Sequence, residues 1–91
     1  MILHADKMAL FAEVARAGSF TAAATKMGLP KSTVSERITQ LEKRLDTRLL
    51  NRSTRRLSLT WAGERYLEKC QALLDILGEA DETIQQIKAE A

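Results

Sequence analysis

The sequence predicts a small, mainly α-helical protein with one short β-hairpin. Apolar residues recur at helical spacing in four segments, whereas only Leu57-Ser58-Leu59 alternates as a half-buried strand does. The 91 residues include four glycines, one proline and four aromatic side chains, too few turn-forming residues for a β-sandwich or barrel. We expect one small domain over residues 1–60, followed by a long helix over residues 61–91.

The first two predicted helices are short and are bounded by glycines. The first begins at an N-cap at Asp6 and ends at Gly18, which can adopt a positive φ. Ser19 and Thr21 are both candidate N-caps for the second helix, and Thr21 is the one that we favour. Gly28 then ends the second helix in the same way as Gly18 ends the first.

The third predicted helix begins after Pro30, a residue that suits a helix entrance but not a helix interior, and runs to about residue 45. At about 100° per residue, its apolar residues fall on one narrow stripe. This stripe consists of Val34, Ile38, Leu41 and Leu45. The helix can therefore bury one face and leave its polar side chains on the other.

A hairpin and a long helix complete the predicted domain. Residues 49–52 and 56–59 predict two short strands around an arginine-rich turn, and Thr60 is a candidate N-cap for a final helix of about 30 residues, roughly 45 Å long. Apolar residues in this helix alternate at spacings of three and four, as in a heptad repeat. The series includes Tyr66, Cys70, Leu73, Leu77, Ala80, Ile84 and Ile87. Because the helix outruns so small a domain, we expect these residues to pair with a second copy of the chain.

Basic residues are concentrated in the middle of the chain. Residues 26–56 carry nine basic and three acidic side chains, whereas residues 1–25 are neutral overall and residues 57–91 have a net charge of −4. A basic block between neutral and acidic flanks predicts a surface for a polyanion. From charge alone, a solvated basic face remains the alternative.

The composition excludes several other classes of protein. One cysteine and one histidine, Cys70 and His4, cannot form an internal disulfide framework or a Cys/His zinc site. We find no nucleophile–base pair and no glycine-rich phosphate loop, and therefore expect no enzyme, no cofactor and no metal. No apolar run reaches the length of a membrane span, and residues 1–6 are not a signal peptide, so we expect a cytoplasmic protein.

The second and third helices fit a helix-turn-helix. Ala24 is the small residue where the two helices touch, Gly28 makes the turn four residues later, and Leu29 fills the core beneath it. A helix that enters the major groove does so by its N-terminal turns. The third helix, residues 31–45, is therefore the predicted recognition helix, and the arginine-rich hairpin at residues 49–59 is a wing that can lie on the adjacent backbone or minor groove.

These elements together resemble the LysR-type transcriptional regulators. The resemblance rests on Gly18-Ser19-Phe20-Thr21-Ala22-Ala23-Ala24, Leu29-Pro30-Lys31-Ser32-Thr33-Val34-Ser35, Leu41-Glu42, Leu49-Leu50-x-Arg52, Arg55-Arg56-x-x-Leu59-Thr60 and Ala62-Gly63. Within the family, the sequence looks like the branch that includes the CrgA-type regulators. The resemblance covers most of residues 3–67 and implies a bacterial winged helix-turn-helix domain with a long dimerisation linker helix.

The resemblance also implies partners. Family members bind double-stranded promoter DNA at interrupted palindromes, pair as homodimers through the long helix, which lies antiparallel to that of a second subunit, and assemble further into tetramers. A small-molecule inducer binds a C-terminal domain that would follow residue 91, and the chain is therefore expected to be a fragment without that domain. We expect the protein at the bacterial nucleoid, with no membrane partner.

Carried over position by position, the resemblance implies DNA contacts at the start of the third helix and in the hairpin. The candidate residues are Lys31, Ser32, Thr33, Ser35, Glu36, Arg37, Thr39, Arg52, Arg55 and Arg56. Arg52 has an alternative role, bracing the wing against the third helix. Glu36 can accept a hydrogen bond from a cytosine amino group or form an ion pair with Lys43 or Arg37.

Three residues depart from the commoner family pattern. Glu36 stands where many members carry arginine, Asp46 replaces the usual glycine after the recognition helix, and Trp61 replaces proline, alanine or glutamate. We expect the turn at Asp46 to differ slightly and Trp61 to be a packing residue. These departures bear on sequence preference and not on the family.

A helix-mediated protein–protein interaction module with an incidental basic surface is the alternative function. RNA binding ranks low, because RNA recognition usually stacks bases on aromatic side chains and residues 26–56 contain none.

Overall fold

A computed structural model describes residues 4–52 and 56–91 as four helices and a two-stranded antiparallel sheet. The elements are α1 (Ala5–Ala17), α2 (Phe20–Met27), α3 (Lys31–Leu45), β1 (Leu50–Asn51), β2 (Ser58–Leu59) and α4 (Trp61–Glu90). The predicted mainly α-helical fold with three helices, a small hairpin wing and a long final helix is confirmed. None of the helices in the described ranges has an apolar stretch long enough to span a bilayer.

The core lies where α1, α2 and α3 meet the beginning of α4. Large side chains with almost no exposed surface come from each part of the chain. They include Leu10, Phe11, Val14, Val34, Ile38, Leu41, Leu49, Leu50 and Cys70. Ala23 and Ala24 are buried as well, and side chains this small allow α2 to lie close against its neighbours. Three of the four residues of the predicted stripe of α3, Val34, Ile38 and Leu41, are fully buried in this core. The fourth, Leu45 at the end of the helix, is 37% exposed, so the prediction was wrong for this residue.

Two predicted N-caps differ from the structure. Helix α1 begins after His4, which makes no side-chain capping bond, and Asp6 lies inside the first turn. Helix α2 begins after Ser19 and not Thr21: the backbone of Ser19 is extended, and its Oγ accepts a 2.9 Å hydrogen bond from the Ala22 amide. The extended residue directly after the glycine that ends α1 therefore caps α2, and Thr21 falls within the first turn.

The turn after α3 closes around Asp46 in the left-handed region. Its φ of 51° is unusual for a residue other than glycine. The amide of Thr47 donates to the Glu42 carbonyl over 3.1 Å and the Asp46 amide donates to the Lys43 carbonyl over 3.1 Å, which satisfies carbonyls at the end of the helix. Aspartate is among the few residues that tolerate this conformation, so the turn keeps the geometry that a glycine would favour.

The two strands of the wing, β1 and β2, are held between α3 and the start of α4. Leu50 pairs with Leu59 and Asn51 pairs with Ser58 in the antiparallel ladder. The Leu49 carbonyl accepts a 3.0 Å hydrogen bond from the Thr60 amide, and it also faces Gly63, where an added Cβ would lie 2.0 Å from that oxygen. The first turn of α4 can approach the wing this closely only because residue 63 is glycine.

Helix α4 has two unlike halves, residues 61–75 and residues 76–90. The predicted N-cap is confirmed, because the Thr60 Oγ1 accepts a 2.9 Å hydrogen bond from the Gly63 amide. The N-terminal half packs on α1, whereas every residue of the C-terminal half is exposed. The helix therefore extends beyond the domain, and the longest dimension of the chain is 54 Å against 28 and 21 Å for the others.

Candidate nucleic-acid interface

The N-terminal half of α3 (residues 31–37) presents polar side chains to solvent. Pro30 is extended and accepts the first helical hydrogen bonds from the amides of Thr33 and Val34. Four side chains of the predicted contact set are exposed in this half. They are Lys31, Ser32, Glu36 and Arg37. Thr33 and Ser35 are half-buried, so they lie at the edges of the exposed face.

Glu36 forms no ion pair within the parts of the chain that the structure describes. Of the two roles considered for Glu36, the ion pair with Lys43 or Arg37 is therefore not formed. Glu36 is exposed and lies one helical turn after Ser32 on the outer face of α3. An exposed carboxylate on this face is available to accept a hydrogen bond from a ligand.

The C-terminal half of α3 (residues 38–45) is tied to the wing through Glu42, whose side chain is only 5% exposed. Its Oε2 accepts hydrogen bonds from the amides of Leu49 at 2.8 Å and Leu50 at 3.2 Å. The other oxygen, Oε1, lies 3.1 Å from Arg52 Nη2 and 3.8 Å from Arg48 Nη1. The buried carboxylate thus accepts hydrogen bonds from two backbone amides and pairs with two arginines. These interactions offset the free-energy cost of removing the carboxylate from water.

Arg52 links the wing to both helices of the helix-turn-helix. Its Nη1 donates a 2.9 Å hydrogen bond to Thr39 Oγ1, its Nη2 pairs with Glu42, and its guanidinium lies 5.5 Å from the centroid of the Phe20 ring. The side chain is 29% exposed. This geometry corresponds to the bracing role considered for Arg52, not to an outward-facing DNA contact.

Thr39 is engaged within the fold rather than presented to a ligand. Its hydroxyl donates to the Ser35 carbonyl over 3.0 Å and accepts from Arg52. We therefore leave Thr39 and Arg52 out of the contact surface that the sequence analysis expected. The structure brings both residues to the base of the wing, where they fix the position of α3.

The importance of Glu42 was missed in the sequence analysis. Its position holds a usable signal, because Glu42 follows Leu41 directly and lies four residues after Ile38, within the apolar stripe of α3. An acidic residue on an apolar stripe needs partners once it is buried. Arg48 and Arg52, which follow Glu42 in the sequence, are the basic residues that pair with it.

A groove runs between the start of α2, the start of α3 and the wing, and we call it the wing groove. Its lining residues are Gly18, Ser19, Phe20, Thr21, Lys31, Asn51, Arg52, Arg56 and Leu57. Three cationic side chains, one from α3 and two from the wing, therefore border one concavity. Arg55, the predicted wing-tip contact, lies outside the described residues.

The expected dimerisation series divides between two environments. Cys70 is 0% exposed in the core, and burial raises the pKa of its thiol to about 11, so it has no surface for a partner. Tyr66 is half-buried, its ring centroid lies 5.7 Å from that of Phe11, and burial raises the pKa of its hydroxyl. The expectation that Cys70 contacts a second copy is corrected, because its side chain is already buried in the core of a single copy.

The remaining members of the series leave apolar surface exposed. Large aliphatic side chains of the C-terminal half of α4 are about half or more accessible to solvent. They are Ile76, Leu77, Ile84 and Ile87. Ala80 is exposed between them and Leu73 is half-buried.

Comparisons with known proteins agree with this architecture. Residues 5–64 match the model of the bacterial regulatory helix-turn-helix proteins of the lysR family. An HTH-type transcriptional repressor of Pseudomonas aeruginosa is 54% identical over 78 residues, which are 86% of this chain and 25% of the repressor. The chain spans about a quarter of the length of the curated relatives that it matches.

Solved structures give the same result. CrgA, a LysR-type transcriptional regulator from Neisseria meningitidis, superposes with a TM-score of 0.77 at 33% identity, over 92% of this chain and 29% of that one. The DNA-binding domain of BenM, solved in complex with catB site 1 DNA, superposes with a TM-score of 0.88 at 26% identity, over 93% of this chain and 94% of that one. The resemblance to the LysR-type regulators, CrgA among them, is confirmed: the chain belongs to the lysR family of bacterial regulatory helix-turn-helix proteins.

Proposed function

We propose that this chain binds double-stranded DNA in a sequence-dependent manner, with the N-terminal half of α3 in the major groove and the wing on the adjacent backbone or minor groove. The observation that carries the proposal is the contrast within α3. Its first two turns expose polar side chains, while its last two turns are fixed to the wing through Glu42. A major groove about 12 Å wide admits one such helix.

The exposed residues of α3 have distinct proposed roles. Lys31 and Arg37 neutralise phosphates or reach guanine, and Ser32, Thr33 and Ser35 donate to phosphates or bases. Glu36 accepts a hydrogen bond from a cytosine amino group, a contact that an arginine at this position cannot make. Each good base contact contributes roughly 1–3 kcal/mol of discrimination.

The wing groove supplies the electrostatic part of the affinity. Lys31 and Arg56 border this groove from α3 and from the wing, and Arg55 adds a further positive charge to this basic segment of the sequence. If six phosphates are neutralised per dimer, the logarithm of the binding constant falls with the logarithm of the salt concentration at a slope of about −5.

Two copies of the domain are needed, because one domain offers only a handful of base contacts. We propose that the exposed apolar residues of α4 pair two chains and set the spacing between two half-sites of an interrupted palindrome. Further assembly to a tetramer, and control by a small-molecule inducer, belong to a longer regulator of which this sequence forms the DNA-binding part. Such a regulator acts on promoters in the bacterial cytoplasm, at the nucleoid, and we propose no catalytic activity for it.

Selection of binding sites from a library of random duplexes tests this proposal. We expect a common sequence to be enriched, and fluorescence anisotropy to give much tighter binding to that sequence than to a scrambled duplex. Lys31→Ala should weaken binding, whereas Lys88→Ala, which removes an equal charge from the far end of α4, should not. Equal affinity for every duplex would reject sequence reading, and no affinity for DNA would favour the protein–protein interaction module.

A further inference from the structure

Glu36 is a carboxylate on the outer face of α3 for which the described part of the fold supplies no counter-charge. Its side chain is exposed, and it forms no ion pair within residues 4–52 and 56–91. The residues one helical turn before and after it, Ser32 and Gln40, are exposed and uncharged. When α3 enters a groove of DNA, this carboxylate therefore needs a donor from the DNA, because a charge that loses its water without a partner is costly.

The major groove offers a carboxylate only two kinds of donor. A carboxylate accepts hydrogen bonds and donates none, so the acceptor groups of guanine and thymine repel it. The two donors are the N4 amino group of cytosine and the N6 amino group of adenine. Adenine also presents its N7 acceptor beside the amino group, whereas cytosine presents the amino group alone. Cytosine is therefore the base that best satisfies Glu36.

A single hydrogen atom of the cytosine amino group is available for this contact. One N4 hydrogen is donated to guanine O6 within the base pair, and the other is directed into the major groove. A methyl group on N4 is compatible with base pairing only when it replaces the hydrogen in the groove. In N4-methylcytosine, the donor that Glu36 needs is thus replaced by an apolar group.

We propose that Glu36 makes DNA binding by this chain sensitive to methylation, so that it binds a site containing cytosine and rejects the same site containing N4-methylcytosine. This inference rests on the proposed sequence-dependent DNA binding and adds a form of regulation to it. The partner that it requires is a DNA methyltransferase that acts on the amino group of cytosine. Methylation leaves the Glu36 carboxylate unpaired against a methyl group, and this loss opposes binding.

The attachment of α3 limits how far Glu36 can move away from the added methyl group. Glu42, further along the same helix, accepts hydrogen bonds from two backbone amides at the base of the wing and pairs with Arg52. Thr39, three residues after Glu36, accepts a 2.9 Å hydrogen bond from Arg52. A shift of α3 away from the methyl group would therefore displace the wing from its own position on the DNA.

Modified duplexes test the inference. Binding-site selection with wild type and with Glu36→Ala identifies the base pair that Glu36 reads, as the position where a preference for cytosine is lost in the variant. Three duplexes then carry cytosine, N4-methylcytosine or 5-methylcytosine at that position, and fluorescence anisotropy gives their dissociation constants. We expect N4-methylation to weaken binding about tenfold or more. The 5-methylcytosine duplex, which adds a methyl group to the same groove but keeps the donor, should bind within about threefold of the cytosine duplex.

Two variants establish whether Glu36 causes the effect. Glu36→Ala should bind the cytosine and N4-methylcytosine duplexes equally, because it no longer uses the donor. Arg37→Ala, which alters the adjacent exposed residue of the same helix, should retain the loss on N4-methylation, whatever its overall affinity.

Several results would overturn the inference while leaving sequence-dependent binding intact. They are the absence of a cytosine preference that depends on Glu36, equal binding of wild type to the cytosine and N4-methylcytosine duplexes, an equal loss with 5-methylcytosine, and an undiminished loss in Glu36→Ala. Failure of wild type to enrich any sequence would instead reject the proposed function, and the inference with it.

Discussion

The two halves of α3 have opposite surroundings. Residues 31–37 expose Lys31, Ser32 and Glu36 to solvent, whereas in residues 38–45 Glu42 is buried against the wing. A side chain that reads a ligand must be accessible, but the backbone that carries it must be held in place. The fold separates these requirements along one helix, with contact at the beginning and attachment at the end.

The largest effect on stability is expected from Gly63→Ala, which disturbs the close contact between the start of α4 and the wing. The added Cβ would lie 2.0 Å from the Leu49 carbonyl oxygen, so the start of α4 must move away from the wing. We expect a loss of at least about 2–3 kcal/mol in the free energy of unfolding, measured by urea denaturation. Gly78→Ala is the matched control: a Cβ there meets nothing within 4 Å, and we expect a gain of about 0.5–1 kcal/mol. Similar effects of the two substitutions would show that the close approach at Gly63 is unimportant.

A glutamate-to-glutamine substitution in each half of α3 should distinguish the residue that holds α3 to the wing from the residue that contacts DNA. Glu42→Gln removes the charge that pairs with Arg52, and we expect a loss of about 2–3 kcal/mol in stability. Glu36→Gln should change stability by no more than about 0.5 kcal/mol but alter the base preferred by the protein. Thermal denaturation and binding-site selection on both variants measure these effects. If Glu42→Gln is as stable as wild type, Glu42 does not hold α3 to the wing. If Glu36→Gln and wild type select identical sites, Glu36 does not read a base.

How far the sequence predicts this arrangement depends on whether local spacing decides the outcome. The helices, the glycines that end α1 and α2, and three of the four residues in the buried stripe of α3 follow from spacing within single elements, so they were predicted. The choice between Ser19 and Thr21 as N-cap was not, because both residues can cap and the backbone direction after Gly18 decides.

Contacts between separate elements could not be predicted from the spacing of residues within one element. The heptad count placed Cys70 with the exposed series, but which neighbour covers each turn of α4 depends on the position of α1. Arg52 was left between two roles for the same reason, since its partners Thr39 and Glu42 lie on another element.

The salt dependence of DNA binding should distinguish contact from attachment among the basic residues. Lys31→Ala should flatten the slope of the logarithm of the binding constant against the logarithm of the salt concentration by about one, and Arg55→Ala should do the same if the wing tip contacts a phosphate. Arg52→Gln should lower stability and affinity without changing the slope, because its guanidinium is engaged with Thr39 and Glu42. Anisotropy titrations at several salt concentrations measure the slope, and equal flattening by Arg52→Gln would make Arg52 a phosphate contact.

The smallest effect is expected at the turn that ends α3. Asp46 adopts a φ of 51°, and glycine is less strained in this region, so Asp46→Gly should stabilise the domain by about 1 kcal/mol or less. Thermal denaturation is the measurement, and DNA binding should stay unchanged. A clear loss of stability would mean that the aspartate side chain contributes more than its backbone strain removes.

The most direct test of the central claim is a comparison of backbone amide NMR spectra with and without a selected DNA duplex. If the N-terminal half of α3 is the contact surface, the largest chemical-shift changes will fall on residues 31–37 and on the wing, and the C-terminal half of α4 will change little. Changes concentrated in residues 76–90, with residues 31–37 unaffected, would contradict the account.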